Sequence, residues 1–185
     1  MRQSVIDSGD LIIAPPRLPD PRFRDTVIMI THHNTHSLGL VLNRPLPNTL
    51  REITDKLGLE LDQDHALYWG GPMATSTVWM LHDSGWHHPA STEISRDWSV
   101  LSHVSMFQQF VDQSLPLHFR IFMGCSSWAP EQLVSEIQGE PPWSQRHSWL
   151  TLREPEAAWV LDPDSDQHWL RAVDLSVKSA ACQCL

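Results

Sequence analysis

The sequence is poor in lysine, cysteine and tyrosine, and it contains no long hydrophobic run. Only two of its 13 basic residues are lysines, and 22 acidic residues bring the formal net charge to -9. Nucleic-acid phosphates would meet a repulsive field, which disfavours direct DNA or RNA binding. The apolar runs, such as residues 27–30, are far too short to cross a bilayer, so we expect no membrane insertion.

The three cysteines do not fit a disulfide framework. They are an odd number, and two of them, Cys182 and Cys184, lie within the last four residues. The first ten residues contain no apolar run of signal-peptide length. These features together predict a cytoplasmic protein.

The chain has the size and composition of one folded domain. It contains 185 residues, 41% of them hydrophobic, which is enough for a core without disulfides or metals. Repeats, low-complexity blocks and Gly/Ser linkers are lacking. We therefore predict a single domain over residues 1–185, with a flexible C-terminal tail at about 175–185.

Hydrophobic patterning and turn residues predict several short strands and helices. The predicted strands cover residues 10–14, 26–31, 38–42, 67–69, 78–82, 117–123, 149–152 and 158–161. Predicted helices cover residues 50–57, 96–112, 130–138 and 167–173. The second and third strands are expected to form a hairpin. This mixture predicts an α/β or α+β fold, in which helices pack on a mixed sheet in one compact domain.

The segment Gly124–Trp128, with the sequence GCSSW, separates the predicted strand 117–123 from the helix that follows. A tight turn there would direct backbone N–H groups and the positive helix end toward an anion. It would also lower the pKa of Cys125, which makes this thiol a candidate nucleophile, and Ser126 beside it is a second candidate. The alternative, which we favour, is that Cys125 packs as a small apolar residue and the serines cap the helix.

Several motifs in the chain together resemble one family. They are GDLIIAP at 9–15, DPRF at 20–23, His33-Asn34, GLVLNRP at 39–45, GGP at 70–72, residues 78–82, and WAPEQL at 128–133 followed by Glu136-Ile137. In this order and spacing they resemble the AlgH/YqgE family of bacterial proteins, and the match spans most of the chain. The Asn43-Arg44-Pro45 element is the sharpest of them.

The resemblance implies a compact single-domain α/β fold more firmly than it implies a function. Members of the family are largely uncharacterised and carry the label of transcriptional regulators. This sequence departs from the family pattern at 124–128, where Gly-Tyr-Ala-Gly-Trp is usual, and at 36–39, where Gly-Ala-Met-Gly is usual. Glycine permits close approach of a ligand to the backbone, so these departures put such a ligand in question for this chain.

The motifs also supply candidate binding residues, which are His33, Asn43, Arg44, Gly71, Pro72, Trp128 and Gln132. Pro45 holds Arg44 extended at the end of a buried strand, where its guanidinium could bind a carboxylate or phosphate. The alternative that we favour is an internal clamp, with Arg44 bonded to Asp20 or to unpaired carbonyls. His33 and Asn34 are expected to organise a turn through side-chain to backbone hydrogen bonds.

Three functions are compatible with these features. We favour a small domain that binds a ligand or a protein partner without turnover, because no catalytic triad or dyad can be assembled from the motifs. The alternatives are an enzyme with Cys125 or a junction serine as nucleophile, and a transcriptional regulator acting directly or indirectly. The eleven histidines lack metal-ligand spacing, so we expect no metal and no cofactor.

Overall fold

The computed structural model describes residues 5–16, 18–141, 149–161 and 165–182. Ten strands form a sheet: β1 (Leu11–Ile13), β2 (Val27–His33), β3 (Ser37–Val41), β4 (Pro45–Thr49), β5 (Ala66–Trp69), β6 (Met73–Asp83), β7 (Thr92–Glu93), β8 (Trp98–Leu101), β9 (Phe119–Trp128) and β10 (Leu150–Leu152). The helices are α1 (Arg51–Thr54), continued by a 3-10 turn at Asp55–Leu57, α2 (Met106–Val111), α3 (Gln132–Gln138), α4 (Ala157–Val160) and α5 (Ser165–Cys182).

Strand β9 is the centre of the sheet. The strand order is β10, β1, β2, β3, β9, β6, β8 and β7, with β5 joined to both β4 and β9. The first half of β9 pairs in parallel with β5 and antiparallel with β6, whereas its second half pairs antiparallel with β3. The sheet is therefore mixed and curled, and β9 exchanges one neighbour for another along its length.

A bend at Gly124 allows this exchange of neighbours. Gly124 has φ 74°, a conformation that favours glycine. The pairing with β5 ends at Met123, and the pairing with β3 begins at Ser126. Gly70 bridges the gap, since its N–H donates to the Met123 carbonyl at 2.9 Å and its carbonyl accepts from Val41 N at 3.0 Å.

Apolar side chains fill both faces of the sheet. Leu11 and Met29 belong to a cluster that includes Ala172 of α5, whereas Ile12 and Ile28 belong to one that includes Leu133 of α3. A third cluster joins α2 and the residues around α1 to β5, β6 and β9. Alternating residues of β1 and β2 thus serve opposite faces, as strand geometry requires. This architecture confirms the predicted mixed sheet with helices packed on it.

Local patterns predicted several elements well. β2 and β3 form the expected hairpin, with Met29 opposite Leu40. The helical segment 51–57 ends at Gly58 with φ 71°, and α3 ends at Gly139 with φ 69°, both in the left-handed conformation typical of helix ends. No described helix is both long enough and apolar enough to cross a membrane.

Two predicted elements are wrong in type. The first half of the predicted helix 96–112 is strand β8, whose four residues are all buried and pair with β6, and only Met106–Val111 is α-helical. The predicted strand 158–161 is the short helix α4. Short apolar runs do not distinguish strand from helix. Pairing with β6 fixes β8 as a strand, whereas Ala157–Val160 pairs with no strand of the described sheet.

The last helix is longer than predicted. α5 continues from Ser165 to Cys182, so it includes most of the segment that we expected to be a tail. Residues 183–185, including Cys184, lie outside the described residues.

Candidate functional site

A cavity of about 490 Å³ opens between the loop 19–23, the end of β9 and helix α3. We call it the α3 pocket. The described residues that line it are Pro19, Asp20, Arg22, Phe23, Pro72, Met73, Ser127, Trp128, Gln132, Glu136 and Trp149. Three of the motifs that carry the family resemblance meet here, namely those at 20–23, 70–72 and 128–136. The fold thus gathers distant parts of the sequence around one cavity.

A buried carboxylate lies in the wall of the α3 pocket. Glu136 is 1% exposed. Its Oε2 accepts hydrogen bonds from the indole Nε1 of Trp128 at 3.1 Å and of Trp149 at 2.8 Å. Its Oε1 accepts a bond from Gln132 Nε2 at 2.8 Å. Three neutral donors therefore hold the carboxylate in one orientation.

Gln132 connects this carboxylate to the chain entering α3. Its side-chain oxygen accepts a hydrogen bond from Ala129 N at 3.0 Å, while its amide nitrogen donates to Glu136. Glu131, which precedes the helix, has a positive φ of 62°. The side chain of Gln132 thereby fixes both the start of α3 and the buried glutamate one turn later.

Three aromatic rings line the α3 pocket with different orientations. The ring centroids of Trp128 and Trp149 are 6.3 Å apart, and the two ring planes are nearly perpendicular, at 81°. Phe23 approaches Trp149 at 6.0 Å and 80°. These are edge-to-face contacts, which are favourable for aromatic pairs. The loop 19–23 is thus packed against the wall formed by β9 and the start of β10.

An exposed ion pair joins the loop side of the pocket. The guanidinium of Arg22 donates to both carboxylate oxygens of Asp20, with the shortest distance 2.7 Å. The carboxylate raises the pKa of Arg22, which is already above physiological pH. Arg22 is 61% exposed and Asp20 is 16% exposed, so the pair stands at the pocket rim.

Arg44 is a clamp on the loop that carries Asp20, Arg22 and Phe23. Its guanidinium donates to the backbone carbonyls of Arg22 and of Arg24, the latter at 2.9 Å, and lies 5.3 Å from the Trp69 ring. The internal clamp is the alternative that we favoured, and the loop carbonyls are its partners. Arg44 therefore supports the α3 pocket without lining it.

Asn43 also acts on the backbone. It accepts from Val27 N at 3.0 Å and donates to Asp25 O at 2.8 Å, which ties the start of β2 to the end of β3. Asn43 and Arg44 line a smaller cavity of about 360 Å³ that lies beside α5. Their binding role stays a prediction.

The segment Gly124–Trp128 is a strand and not the predicted turn before a helix. Residues 124–128 are the last part of β9, and α3 begins at Gln132 after Glu131. A Cβ on Gly71 would lie 2.3 Å from the carbonyl carbon of Cys125, so the backbones of GGP and GCSSW are in close contact. The proposed helix-end anion site at Cys125 is therefore wrong.

Cys125 and Ser126 are both buried. Cys125 is 5% exposed within the core, and burial raises the pKa of its thiol, opposite to the activation considered above. Ser126 is fully buried, and its hydroxyl donates to Gly70 O at 3.2 Å. The packed alternative that we favoured for Cys125 is confirmed, whereas Ser126 binds a backbone carbonyl within the sheet and does not cap a helix.

The remaining candidates separate into two groups. Pro72, Trp128 and Gln132 line the α3 pocket, and Gly71 lies directly beside it. His33 lies in the β2–β3 hairpin, where its Nδ1 shares a hydrogen bond with the Ser37 hydroxyl at 2.8 Å instead of the predicted backbone bond. Within the described part of the chain, no group of three or more potential ligand residues is placed to hold a metal ion.

Comparison with known proteins shows the family. The model of the AlgH-like family, DUF179, matches residues 11–179. The chain belongs to the AlgH-like family. A UPF0301 protein from Desulforapulum autotrophicum is 33% identical over 157 residues, which cover 82% of this chain and 79% of that protein. One from Ralstonia pickettii is 28% identical over 163 residues, covering 85% and 82%.

Solved structures agree with the AlgH-like assignment. The AlgH protein from Pseudomonas aeruginosa has a similar fold, with a TM-score of 0.74 and 25% identity over 95% of this chain and 92% of that one. A protein from Corynebacterium diphtheriae shares the fold at a TM-score of 0.68 and 20% identity, covering 91% and 86%. The resemblance inferred from the motifs is therefore confirmed.

Sequence reasoning on this AlgH-like chain missed several lining residues. Glu136 lies in the motif at 128–137 but was not predicted as a site residue, although it follows Gln132 by one helical turn. Phe23 also belonged to a motif. Trp149 gave no local signal, because it reaches Glu136 only when β10 pairs with β1.

Proposed function

We propose that this AlgH-like chain is a binding domain that holds a small ligand, or a side chain of a protein partner, in the α3 pocket without turnover. The observation that carries the proposal is the fixed Glu136 carboxylate among aromatic rings. Pockets that bind ligands are mainly apolar and contain a few polar groups held in place. Glu136, held by Trp128, Trp149 and Gln132, is such a group.

Support for rigid walls comes from the clamp on the loop. Arg44 donates to carbonyls of the loop 21–24, and Phe23 packs against both Trp69 and Trp149. A pocket whose walls are already in position loses less conformational entropy when a ligand binds. The pocket is therefore suited to recognition in the form seen here.

Support for the absence of turnover comes from the nucleophile candidates. Cys125 and Ser126 are buried on β9, and the hydroxyl of Ser127, which lines the α3 pocket, forms no hydrogen bond to a histidine or a carboxylate among the described residues. A hydroxyl nucleophile needs an adjacent base for activation. A regulatory role would act through binding of a ligand or partner, since the net charge of -9 opposes contact with DNA.

The test is to fill the pocket from its exposed wall. Ser127 lines the pocket and is exposed, so Ser127→Arg should obstruct it while leaving the core intact. Thr92→Arg is the matched control, because Thr92 is exposed on the edge strand β7 at the far end of the sheet order. A library of cationic, anionic and neutral small molecules is screened by thermal shift against the three proteins.

We expect one class of compound to raise the Tm of the parent and of Thr92→Arg but not that of Ser127→Arg. A ligand that binds only the native state raises Tm by an amount that grows with the ratio of its concentration to its Kd, so loss of the shift in Ser127→Arg reports on binding in the pocket. A compound that stabilises Ser127→Arg as strongly as the parent would contradict the proposal, as would a library without any stabilising compound.

A further inference from the structure

We infer that the α3 pocket binds an organic cation, either an ammonium or a guanidinium group, with Glu136 as the anionic anchor. The inference rests on the proposed function and names the chemistry of its ligand. Two features of the described lining carry it: the Glu136 carboxylate, which no cation pairs with there, and the aromatic rings beside it.

The charged groups of the described lining are unbalanced. They are two carboxylates, Asp20 and Glu136, and one guanidinium, Arg22, which leaves a net charge of -1 when all are ionised. Arg22 already binds both oxygens of Asp20. The surplus negative charge therefore belongs to Glu136, and a ligand of opposite charge would balance it.

The surroundings of Glu136 lack a cation. Its hydrogen-bond donors are two indoles and one amide, and no ion pair with a lysine, arginine or histidine forms among the described residues. Burying a carboxylate is unfavourable unless it is paired or well hydrogen-bonded. The three donors use three of the roughly four lone-pair sites of an ionised carboxylate, so Glu136 retains the capacity to accept one more hydrogen bond.

The aromatic rings that line the α3 pocket are the second feature. Trp128, Trp149 and Phe23 line the same cavity, and successive rings are turned by 81° and 80° relative to each other. The rings pack edge to face on one another and together form an aromatic wall of the cavity beside Glu136. Ammonium and guanidinium groups are attracted to the faces of tryptophan and phenylalanine rings, and more strongly when they are desolvated.

Two sources supply this chemistry: a free small amine or guanidine, and the lysine or arginine side chain of a partner protein. Calorimetric titrations separate them by comparing agmatine with the tripeptide Gly-Arg-Gly. Butylurea and pentanoate serve as neutral and anionic probes of similar length. We expect agmatine to bind the parent more tightly than butylurea, and pentanoate not to bind. Tighter binding of agmatine than of Gly-Arg-Gly would indicate a free small cation, and the reverse order would indicate a side chain of a partner protein.

Matched variants identify the anchor. Glu136→Gln keeps an acceptor oxygen but removes the charge, and should weaken agmatine binding by about tenfold or more. Glu140→Gln removes a charge from an exposed residue just after the same helix, and should leave the affinity within about twofold. Phe23→Leu, which is outside the Glu136 hydrogen bonds, should weaken agmatine more than butylurea. Phe23→Leu provides a second test if circular dichroism shows that Glu136→Gln does not fold.

Equal binding of agmatine and butylurea, or equal weakening by Glu136→Gln and Glu140→Gln, would overturn the inference. Binding of butylurea or pentanoate that Ser127→Arg abolishes, with no binding of either cation, refutes the cation and keeps the proposed pocket. Failure of all four probes to bind contradicts both the inference and the proposed function.

Discussion

Glu136 is a buried side chain that joins several elements at the wall of the α3 pocket. Its two carboxylate oxygens accept bonds from Trp128, Trp149 and Gln132, which come from β9, the residue before β10, and α3. Removal of a buried acceptor leaves its donors without partners, and that is more unfavourable than the loss of the bond itself. The residue therefore ties three elements together at the pocket wall.

Glu136→Ala is expected to lower the free energy of unfolding by about 2–4 kcal/mol, because two buried indole N–H groups lose their acceptor. Glu136→Gln should have a smaller effect, since it retains one acceptor oxygen. Urea denaturation followed by circular dichroism measures both. Glu140→Ala, an exposed control, should stay within about 0.5 kcal/mol of the parent. Similar losses for Glu136→Ala and Glu140→Ala would contradict this role.

Cys125 should be unreactive in the native protein. Burial raises the pKa of its thiol above the usual 9.0, so less thiolate is present at neutral pH than in a free thiol. In a Cys182→Ser, Cys184→Ser background, iodoacetamide should modify the native protein at least about tenfold more slowly than free cysteine at neutral pH, and urea should remove the difference.

The pH dependence of this group has a definite sign. The folded pKa lies above the unfolded one, so the contribution of the neutral thiol to stability is present below the unfolded pKa and is lost as pH rises through the folded pKa.

Modification of native Cys125 by iodoacetamide as fast as free cysteine would revive the enzyme alternative and contradict the buried assignment.

At the scale of elements, the bend in β9 depends on glycine for two separate reasons. Gly124 has φ 74°, and a Cβ there would lie 2.5 Å from Gly71 O. Gly139 at the end of α3 has φ 69° and nothing within 4 Å of such a Cβ. The two positions share a backbone conformation and differ in steric surroundings, which makes them a matched pair.

Gly139→Ala should lower stability by about 1 kcal/mol, the usual penalty for alanine in the left-handed conformation. Gly124→Ala should lower it by roughly 2 kcal/mol more, because the added Cβ meets backbone atoms that cannot move aside. Urea denaturation of the two variants tests this. Equal effects would mean that the contact between 70–71 and 124–125 is not tight.

Arg44, which lies outside the loop 19–24, holds this loop in place by donating hydrogen bonds to its carbonyls. Arg44→Gln removes the donors to the loop carbonyls, so the loop should open more often and expose the peptide bonds after Arg22 and Arg24 to trypsin. Mass spectrometry should detect cleavage there at a rate raised by several-fold. Arg51→Gln, which removes a bond to Leu61 O and not one to a carbonyl of this loop, is the control. Cleavage at the parent rate in Arg44→Gln would exclude the clamp.

Element prediction succeeded where local patterns decide the structure and failed where pairing decides it. The hairpin of β2 and β3 and the end of α3 at Gly139 follow from alternation and turn residues. β8 was predicted as helix because its four apolar or small residues fit both periods, and only pairing with β6 selects the strand. The strand at 124–128 was missed for the same reason, since β3 and Gly70 hold it extended.

At the scale of the whole molecule, acid should destabilise the fold through two histidines, the buried His82 and the half-buried His65. Burial lowers the pKa of His82 and of His65 below the usual 6.5. For a base with a depressed folded pKa, the stabilising contribution is present above the unfolded pKa and is lost as pH falls through the folded one. Unfolding free energies should therefore drop below about pH 6.5.

His82→Asn tests this dependence. The substitution retains a donor that can reach the Asp83 carbonyl, the partner of His82 Nδ1 at 2.8 Å, but cannot be protonated in this range. The difference in stability between pH 7.5 and pH 5.5 should be smaller in the variant than in the parent. The same difference in both proteins would show that His82 does not contribute.

The pocket itself is a property of the whole fold and not of any one motif. Pro72, Trp128 and Gln132 could be selected from sequence, because they lie in motifs that resemble a family. Phe23 and Glu136 also lie in motifs, but their role appears only when β10 brings Trp149 to Glu136 and Arg44 holds the loop. Contacts between residues so far apart along the chain produce no local pattern in the sequence.

Nuclear magnetic resonance of the indole Nε1–H groups tests the account most directly. The resonances of Trp128 and Trp149, assigned by Trp→Phe substitutions, are followed while a mixture of agmatine, butylurea and pentanoate is added. Trp79 and Trp98, which pack in a different core cluster, are internal controls. We expect saturable shifts of the indole resonances of Trp128 and Trp149 alone. Unchanged resonances, or equal shifts at all four tryptophans, would contradict the α3 pocket as a binding site.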